Sequence, residues 1–367
     1  MMDANAGSSA EIGKTLCGTH TNPCSRMQQC FRGRGYEYKE VLIIGEYTAI
    51  STVKIDISCS ISGFKNTTIT GTTHSYIFEA AGNSKININI TNLQFHGIGI
   101  LKVGTNAEVS IRNCTTVDVL GNVVWLLEHV EKISLHVFQC IFIHGAEYVV
   151  KMKKSDTSVA VYSLISVYIE GCNFIKSKGL LLESSSALGV VMQNNIFQSS
   201  VSPVVVLGGK NNLSNVKLIN CSFQSITTRT SHFSNSTVHF TGVTNISIQY
   251  SQFMDSSANS QLFIEDALSI VIKSSMFGSN SVTQNDKGGT VVISKSLNTL
   301  LFGSVFANNE AMNGGSIVAN SVKTLKINNC TFRDNNAKSY GGDVYLEKVY
   351  KTVFVSCLFI NSSSGAR

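Results

Sequence analysis

Charge and proline are what this 367-residue sequence has least of. Charged residues make up 14% of it, and the only two prolines are Pro23 and Pro203. Proline lacks the N–H that a strand ladder uses, so from residue 40 onward almost nothing interrupts such a ladder. No apolar run reaches 18 residues, which excludes a helical membrane span. No basic run carries interleaved aromatics, and the formal net charge of +6 is spread out, so nucleic acid is not an expected partner. No step along the chain keeps a 3.6-residue apolar period over ten residues, which argues against helical and leucine-rich repeats. Aspartate is sparse too, with nine residues and no two adjacent. Metal-ligand spacings and glycine-rich phosphate cradles are missing, so no cofactor and no metal are expected.

What the sequence does have is a repeat. Phe306-Ala-Asn-Asn309 is followed by Gly314-Gly315-Ser-Ile-Val318 and closes on Cys330-Thr-Phe332. The copy after it runs Phe332-Arg-Asp-Asn335, Gly341-Gly342 and Cys357-Leu-Phe359, and the copy before it runs Phe277-Gly-Ser-Asn280, Gly288-Gly289 and Ser304-Val-Phe306. Extended upstream, the Phe slot falls at Phe95, Thr116, Phe142, Phe174, Phe197, Phe223 and Phe253. Steps range from 21 residues (116 − 95) to 32 (174 − 142), and each holds two strand-like runs. Self-similarity at this period marks a solenoid, in which each turn contacts only its neighbours and length is not limited by a single core. The expected class is all-β: a right-handed parallel β-helix over residues 38–361, with stacked Phe as an internal ladder. Residues 1–16 are expected to be a disordered tail, 17–37 a short helical cap and 362–367 a truncated or open end. Met1–Thr15 holds no apolar stretch of the secretory kind, so the start reads as truncated, with a piece of a longer protein as the alternative.

Two resemblances refine this. Glu40–Tyr47, Val53–Ile57, Ile61–Phe64 and Thr68–Gly71, preceded by a capping segment, resemble the entry to a pectin-lyase-like β-helix. The Phe-x-x-Asn and Gly-Gly-x-(Ile/Val) pattern of the last three copies resembles the repeat of polymorphic outer membrane proteins, which implies adhesion. That family usually has Ala after the glycine pair, where this chain has Thr290, Ser316 and Asp343. Pectin-lyase-like enzymes would bring clustered carboxylates with a nearby Arg or Lys, but the galacturonase signatures are missing.

Candidate functional residues are therefore few. Glu128, Glu183, Glu265 and Glu347 end equivalent strands but lie two or three turns apart, about 10–15 Å at a ladder spacing of about 4.8 Å. Asp255, Glu265 and Asp266 form the remaining acidic candidate. Three swollen steps are expected to protrude and carry binding: 153–163 with Lys153 and Lys154, 224–236 with Arg229, His232 and Phe233, and 278–287. Cys114, Cys140, Cys172, Cys221, Cys330 and Cys357 share a slot with Asn195, Ser251, Ser275 and Ser304 and read as packed thiols. Cys17, Cys24, Cys30 and Cys59 lie outside that slot and are candidates for two disulfides in any of three pairings. Glycosylation sequons occur at Asn66, Asn89, Asn212, Asn235, Asn245 and Asn361, with three more, at Asn113, Asn220 and Asn329, beside slot cysteines. The leading expectation is a non-catalytic extracellular module that binds a glycan or an extracellular protein. A polysaccharide lyase or hydrolase and a structural spacer are the alternatives.

Overall fold

The computed structural model describes residues 2–3, 39–49, 51–71, 76–82, 84–127, 130–145, 147–152, 164–184, 187–201, 203–209, 214–227, 236–282 and 289–365. Every regular element among them is a β-strand, and the strands pair in parallel. The chain falls into two compact units, Met1–Asn173 and Phe174–Arg367, each a right-handed parallel β-helix. The expected cap at 17–37 lies outside the described residues. Met2–Asp3, read from the sequence as part of a disordered tail, lie in parallel register with Ile43 and Ile44.

One turn of the second unit shows how residues make the shape. Asn245–Gln249 forms a long side, Gln252–Met254 the Phe side, Ser257–Ala258 a short third strand and Leu262–Glu265 the return side. Between these sides single residues turn the chain by taking positive φ: Tyr250 (53°), Asp255 (51°) and Asp266 (57°). The left-handed region costs an ordinary residue roughly 1 kcal/mol and is tolerated best by Gly and Asn. The corner before the slot holds Asn194, Asn220, Gly303 and Asn329 in four other turns of this unit and Ser274 and Ser356 in two more, and Asn92, Asn113, Gln139 and Gly171 in the first. Alternation on the long side is strict. In Lys132–Phe138, Ile133, Leu135 and Val137 are buried, while the residues between them face out.

Inside the second unit the Phe slot is a continuous stack. Ring centroids from Phe174 through Phe197, Phe223, Phe253, Phe277, Phe306 and Phe332 to Phe359 lie 4.3–5.0 Å apart, with planes within 10° of parallel. The thiol slot behaves as expected in both units. Cys114, Cys140, Cys172, Cys221 and Cys330 are buried free thiols, and Cys357 is half-buried. The Cys140 thiol donates to the carbonyl of Phe138, and the Cys172 sulfur accepts from the Cys140 N–H at 3.4 Å. In the second unit Ser251 and Ser275 do the same with their hydroxyls, each accepting the N–H of the preceding turn's slot residue. Any small side chain with an acceptor satisfies the slot, which is why Cys, Ser and Asn interchange there.

Cys59 corrects an expectation. It is a free thiol with no exposure, on the inward side of its strand and in register with Ile88, below Val109 and Leu135. It fills a hydrophobic position rather than a disulfide, and burial pushes its pKa up to about 12. Cys17, Cys24 and Cys30 lie outside the described residues.

The Phe-x-x-Asn motif is explained by the interior. Asn280, Asn309 and Asn335 are each 1% exposed and stack on successive turns. The Asn309 Nδ2 donates to the Phe277 carbonyl at 2.9 Å and to Asn335 Oδ1 at 3.1 Å, while Asn309 Oδ1 accepts from the N–H and Nδ2 of Asn280. Asp343, the departure from Ala after the glycine pair, closes this column: its Oδ1 accepts from Asn335 Nδ2 at 2.8 Å and from the Ser362 hydroxyl at 2.6 Å.

The glycine pair is equally structural. Gly314 and Gly341 take φ of +52° and +63°, and a Cβ on Gly315 would run into the Gly342 carbonyl oxygen of the next turn. Gly315→Ala should therefore cost about 1–3 kcal/mol, the range for overpacking a tight site. Gly208→Ala is the control, because its new methyl meets only Glu183 Cγ at 3.7 Å. Thermal unfolding should show a lowered midpoint for the first variant and an unchanged or raised one for the second.

Candidate functional site

The acidic candidates do not converge. Asp255 is the corner between the Phe side and the short third strand, whereas Glu265 ends the return side and Asp266 is the corner after it. Two strands of the same turn, Ser257–Ala258 and Leu262–Glu265, separate Asp255 from Asp266. Glu265 Oε1 instead pairs with Lys295 Nζ at 2.9 Å. The glutamate column follows the register read from the sequence: Glu183, Gly208, Thr241, Glu265, Ser294, Asn320 and Glu347 are paired in that order. Three turns part each glutamate from the next, about 14 Å at the ladder rise. That is beyond the roughly 5–9.5 Å that paired carboxylates need for glycoside hydrolysis. Glu128, Lys153, Lys154, Arg229, His232 and Phe233 lie outside the described residues, as do Asn212 and Asn235. Of the other sequons, Asn66, Asn89, Asn245 and Asn361 are exposed.

A different cluster stands out, on the outward side of the first unit's long strands. Ala107–Arg112, Lys132–Phe138 and Leu164–Glu170 pair in register, and their outward residues form two columns. One column is Arg112, Phe138 and Glu170, and the other is Ser110, His136 and Tyr168. Phe138 and Tyr168 meet with ring centroids 5.5 Å apart, and His136 lies 6.0 Å from each of them. The Arg112 guanidinium sits over the Phe138 ring at 4.8 Å and its Nε donates to the Ser110 hydroxyl. His136 Nε2 and the Ser134 hydroxyl share a hydrogen bond of 3.0 Å. The result is an aromatic floor edged by a cation, an imidazole and a carboxylate.

The electrostatics of that floor are those of a donor and acceptor array. The Tyr168 hydroxyl donates to Glu170 Oε2 at 3.0 Å. Lost hydration, and then the bond and charge of Glu170, hold the phenol above its ordinary pKa. Tyr168 is thus a neutral donor at physiological pH, and the arrangement gives it no tendency to act as a base. On the return side of the same unit, Lys102 Nζ bridges Glu79 Oε1 at 2.9 Å and the Trp125 ring at 5.8 Å. The outward columns could have been read from the sequence. Arg112, Phe138 and Glu170 each precede the Cys slot by two residues, and Ser110, His136 and Tyr168 precede it by four.

No protein-family model matches the sequence, and no curated protein matches it. Solved structures do. PfbA, a surface adhesin of Streptococcus pneumoniae, superposes with a TM-score of 0.52 at 14% identity, over 89% of this chain and 84% of that one. The likeness is one of fold. Weaker matches include tailspike protein gp49 from Acinetobacter baumannii bacteriophage Fri1, a capsular polysaccharide depolymerase, with a TM-score of 0.36 at 13% identity over 89% of this chain and 58% of that one. Another is a PL6 alginate lyase in complex with a trisaccharide, with a TM-score of 0.34 at 10% identity over 100% of this chain and 88% of that one. Among the described residues no helix is long and apolar enough to cross a membrane.

Proposed function

We propose that the protein is a non-catalytic, extracellular glycan-binding module of adhesin type, and that the outward face formed by Arg112, His136, Phe138, Tyr168 and Glu170 carries the binding. The single observation behind this is the aromatic floor itself. Pyranose rings present apolar C–H faces and a hydroxyl rim, and Phe138 and Tyr168 offer the faces while Arg112, His136 and Glu170 offer the rim partners. A fold shared with a surface adhesin supports the reading. So does the separation of the carboxylates on the return side. The Phe-x-x-Asn and Gly-Gly pattern supports it less, since its residues are interior.

Gels cast with neutral and acidic polysaccharides test this, with retention and depolymerisation scored separately. The protein should be retarded by at least one polysaccharide without shortening it. Phe138→Ala combined with Tyr168→Ala should weaken that retention about 30-fold, the equivalent of about 2 kcal/mol for losing an aromatic anchor. The same face also gathers a cation and an imidazole, which is what proton abstraction from an acidic sugar would use. Depolymerisation abolished by His136→Asn would overturn the binding-module reading and make the protein a polysaccharide-processing enzyme. Retention unaffected by the double variant would remove this face from the reading.

A further inference from the structure

The second unit carries a groove of its own, and Lys295, the partner of Glu265, is one of its lining residues. It runs across the corner between the return and long sides, with a volume of about 640 Å³, and is lined by Lys295, Leu297, Val322, Lys323, Lys348 and Tyr350, with Ser296 and Ser321 between them. Register explains its composition. Asp266, Lys295, Ser321 and Lys348 are the positive-φ corners of four turns, each donating its N–H to the turn that follows or, for Lys348, ending the run. Two residues beyond each corner stand Leu268, Leu297, Lys323 and Tyr350. Three ammonium groups thus flank a strip in which Leu297 is 44% and Tyr350 87% exposed.

Two of the three charges are unpaired. Lys323 and Lys348 have no ion-pair partner among the described residues, while Lys295 pairs with Glu265 at 2.9 Å and also feels the charge of Asp266. Glu347, the acidic residue nearest in sequence to Lys348, has its Oε2 engaged by Asn320 Nδ2 at 3.1 Å. Asp266 closes the basic run at one end. Lys295 and Lys348 are two turns apart, about 10 Å at the ladder rise, so the cations are presented along a line and not around a point. Lysine ammoniums are compact, rotatable charges without the planar fork that selects one bidentate partner. Leu297 and Tyr350 add apolar surface of the kind that sugar rings cover, and one tyrosine is too little aromatic surface to stack successive nucleobases.

We propose that this groove binds a linear anionic polysaccharide, its carboxylate or sulfate groups taken by Lys295, Lys323 and Lys348 and a sugar ring laid against Tyr350. This goes beyond the aromatic face of the first unit and does not depend on it. Binding of polygalacturonate, dextran sulfate, neutral dextran and single-stranded oligothymidylate to the intact chain would be measured in about 0.05 and 0.5 M NaCl. Polygalacturonate or dextran sulfate, whichever source the groove fits, should bind at low salt and weaken at least tenfold at high salt. The combined variant Lys295→Asn, Lys323→Gln and Lys348→Asn should lose at least tenfold, with asparagine chosen because it tolerates positive φ. Phe138→Ala with Tyr168→Ala should leave this binding in place, so failure of the aromatic face and failure of the groove are told apart. Lys323→Gln and Tyr350→Ala alone, both at exposed positions, should each lower affinity and serve if the triple variant folds poorly. Undiminished binding by the triple or single variants, tighter binding of oligothymidylate, or no binding of either polyanion would overturn the proposal.

Discussion

Asn309→Leu is expected to destabilise the second unit by about 3–5 kcal/mol. The substitution strips the Asn280 N–H of its buried acceptor and takes the amide donor from the Phe277 carbonyl and from Asn335 Oδ1, and each unsatisfied buried polar group costs about 1–3 kcal/mol. Leucine also fills the site, so water cannot enter to replace the lost bonds. Asn309→Ser is the informative comparison. Serine already occupies this column at Ser256 and Ser362, where the Ser256 hydroxyl accepts the Ile226 N–H and that of Ser362 accepts the Asn335 N–H. The serine variant should therefore keep the upstream acceptor and lose only about 1 kcal/mol. Equal losses for leucine and serine would mean that the column matters for its volume and not for its hydrogen bonds.

Phe277→Ala is expected to cost about 3–5 kcal/mol through the cavity it leaves. Its ring lies between those of Phe253 at 4.7 Å and Phe306 at 5.0 Å, so two ring contacts are lost together. Stacked pairs contribute roughly 0.5–1.5 kcal/mol each beyond area burial. Phe277→Leu keeps most of the volume and should lose well under half as much. Solenoid stability is close to a sum over repeats and their interfaces, and a single unfolding free energy is poorly defined when cooperativity breaks down. Hydrogen exchange resolved by segment is the better measurement. Protection should fall in the turns holding Phe253, Phe277 and Phe306 and stay near its original level around Phe197. A uniform loss across the unit would show that its turns unfold as one.

The inward columns were legible in the sequence because their chemistry is narrow. A slot that recurs every 21–32 residues, held by Phe in every turn but that of Thr116 and usually preceded two places earlier by a small polar residue, can be aligned across loops of any length, and the structure places those residues in stacked register. The glutamate column was legible for the same reason. Corner residues were not, since Asn, Asp, Ser, Lys, His, Gln and Tyr all occupy them and only their backbone angle is shared. This is also why Asp255 and Asp266 drew notice as acids when each is turning the chain. Cys59 was misjudged because it stood outside the thiol slot; a column read from Ile88, Val109 and Leu135 would have shown a place for an apolar side chain. The aromatic face and the lysine groove depend on which outward residues become neighbours, and that follows only once the turns are in register.

The corners have a consequence for inheritance. Five of the sequons, at Asn66, Asn113, Asn220, Asn329 and Asn361, coincide with positive-φ corners, at φ from 50° to 56°. At each of them a small residue follows and then a Ser or Thr, which opens the next strand at four of the five, while Asn66 lies within Cys59–Thr70. The three-residue phrase is thus written by the demands of turning a chain, and it will recur in any lineage of this shape whether or not a sugar is ever attached. Selection on backbone geometry here copies the spelling of a modification signal, and counting such signals in solenoids measures corners before it measures carbohydrate.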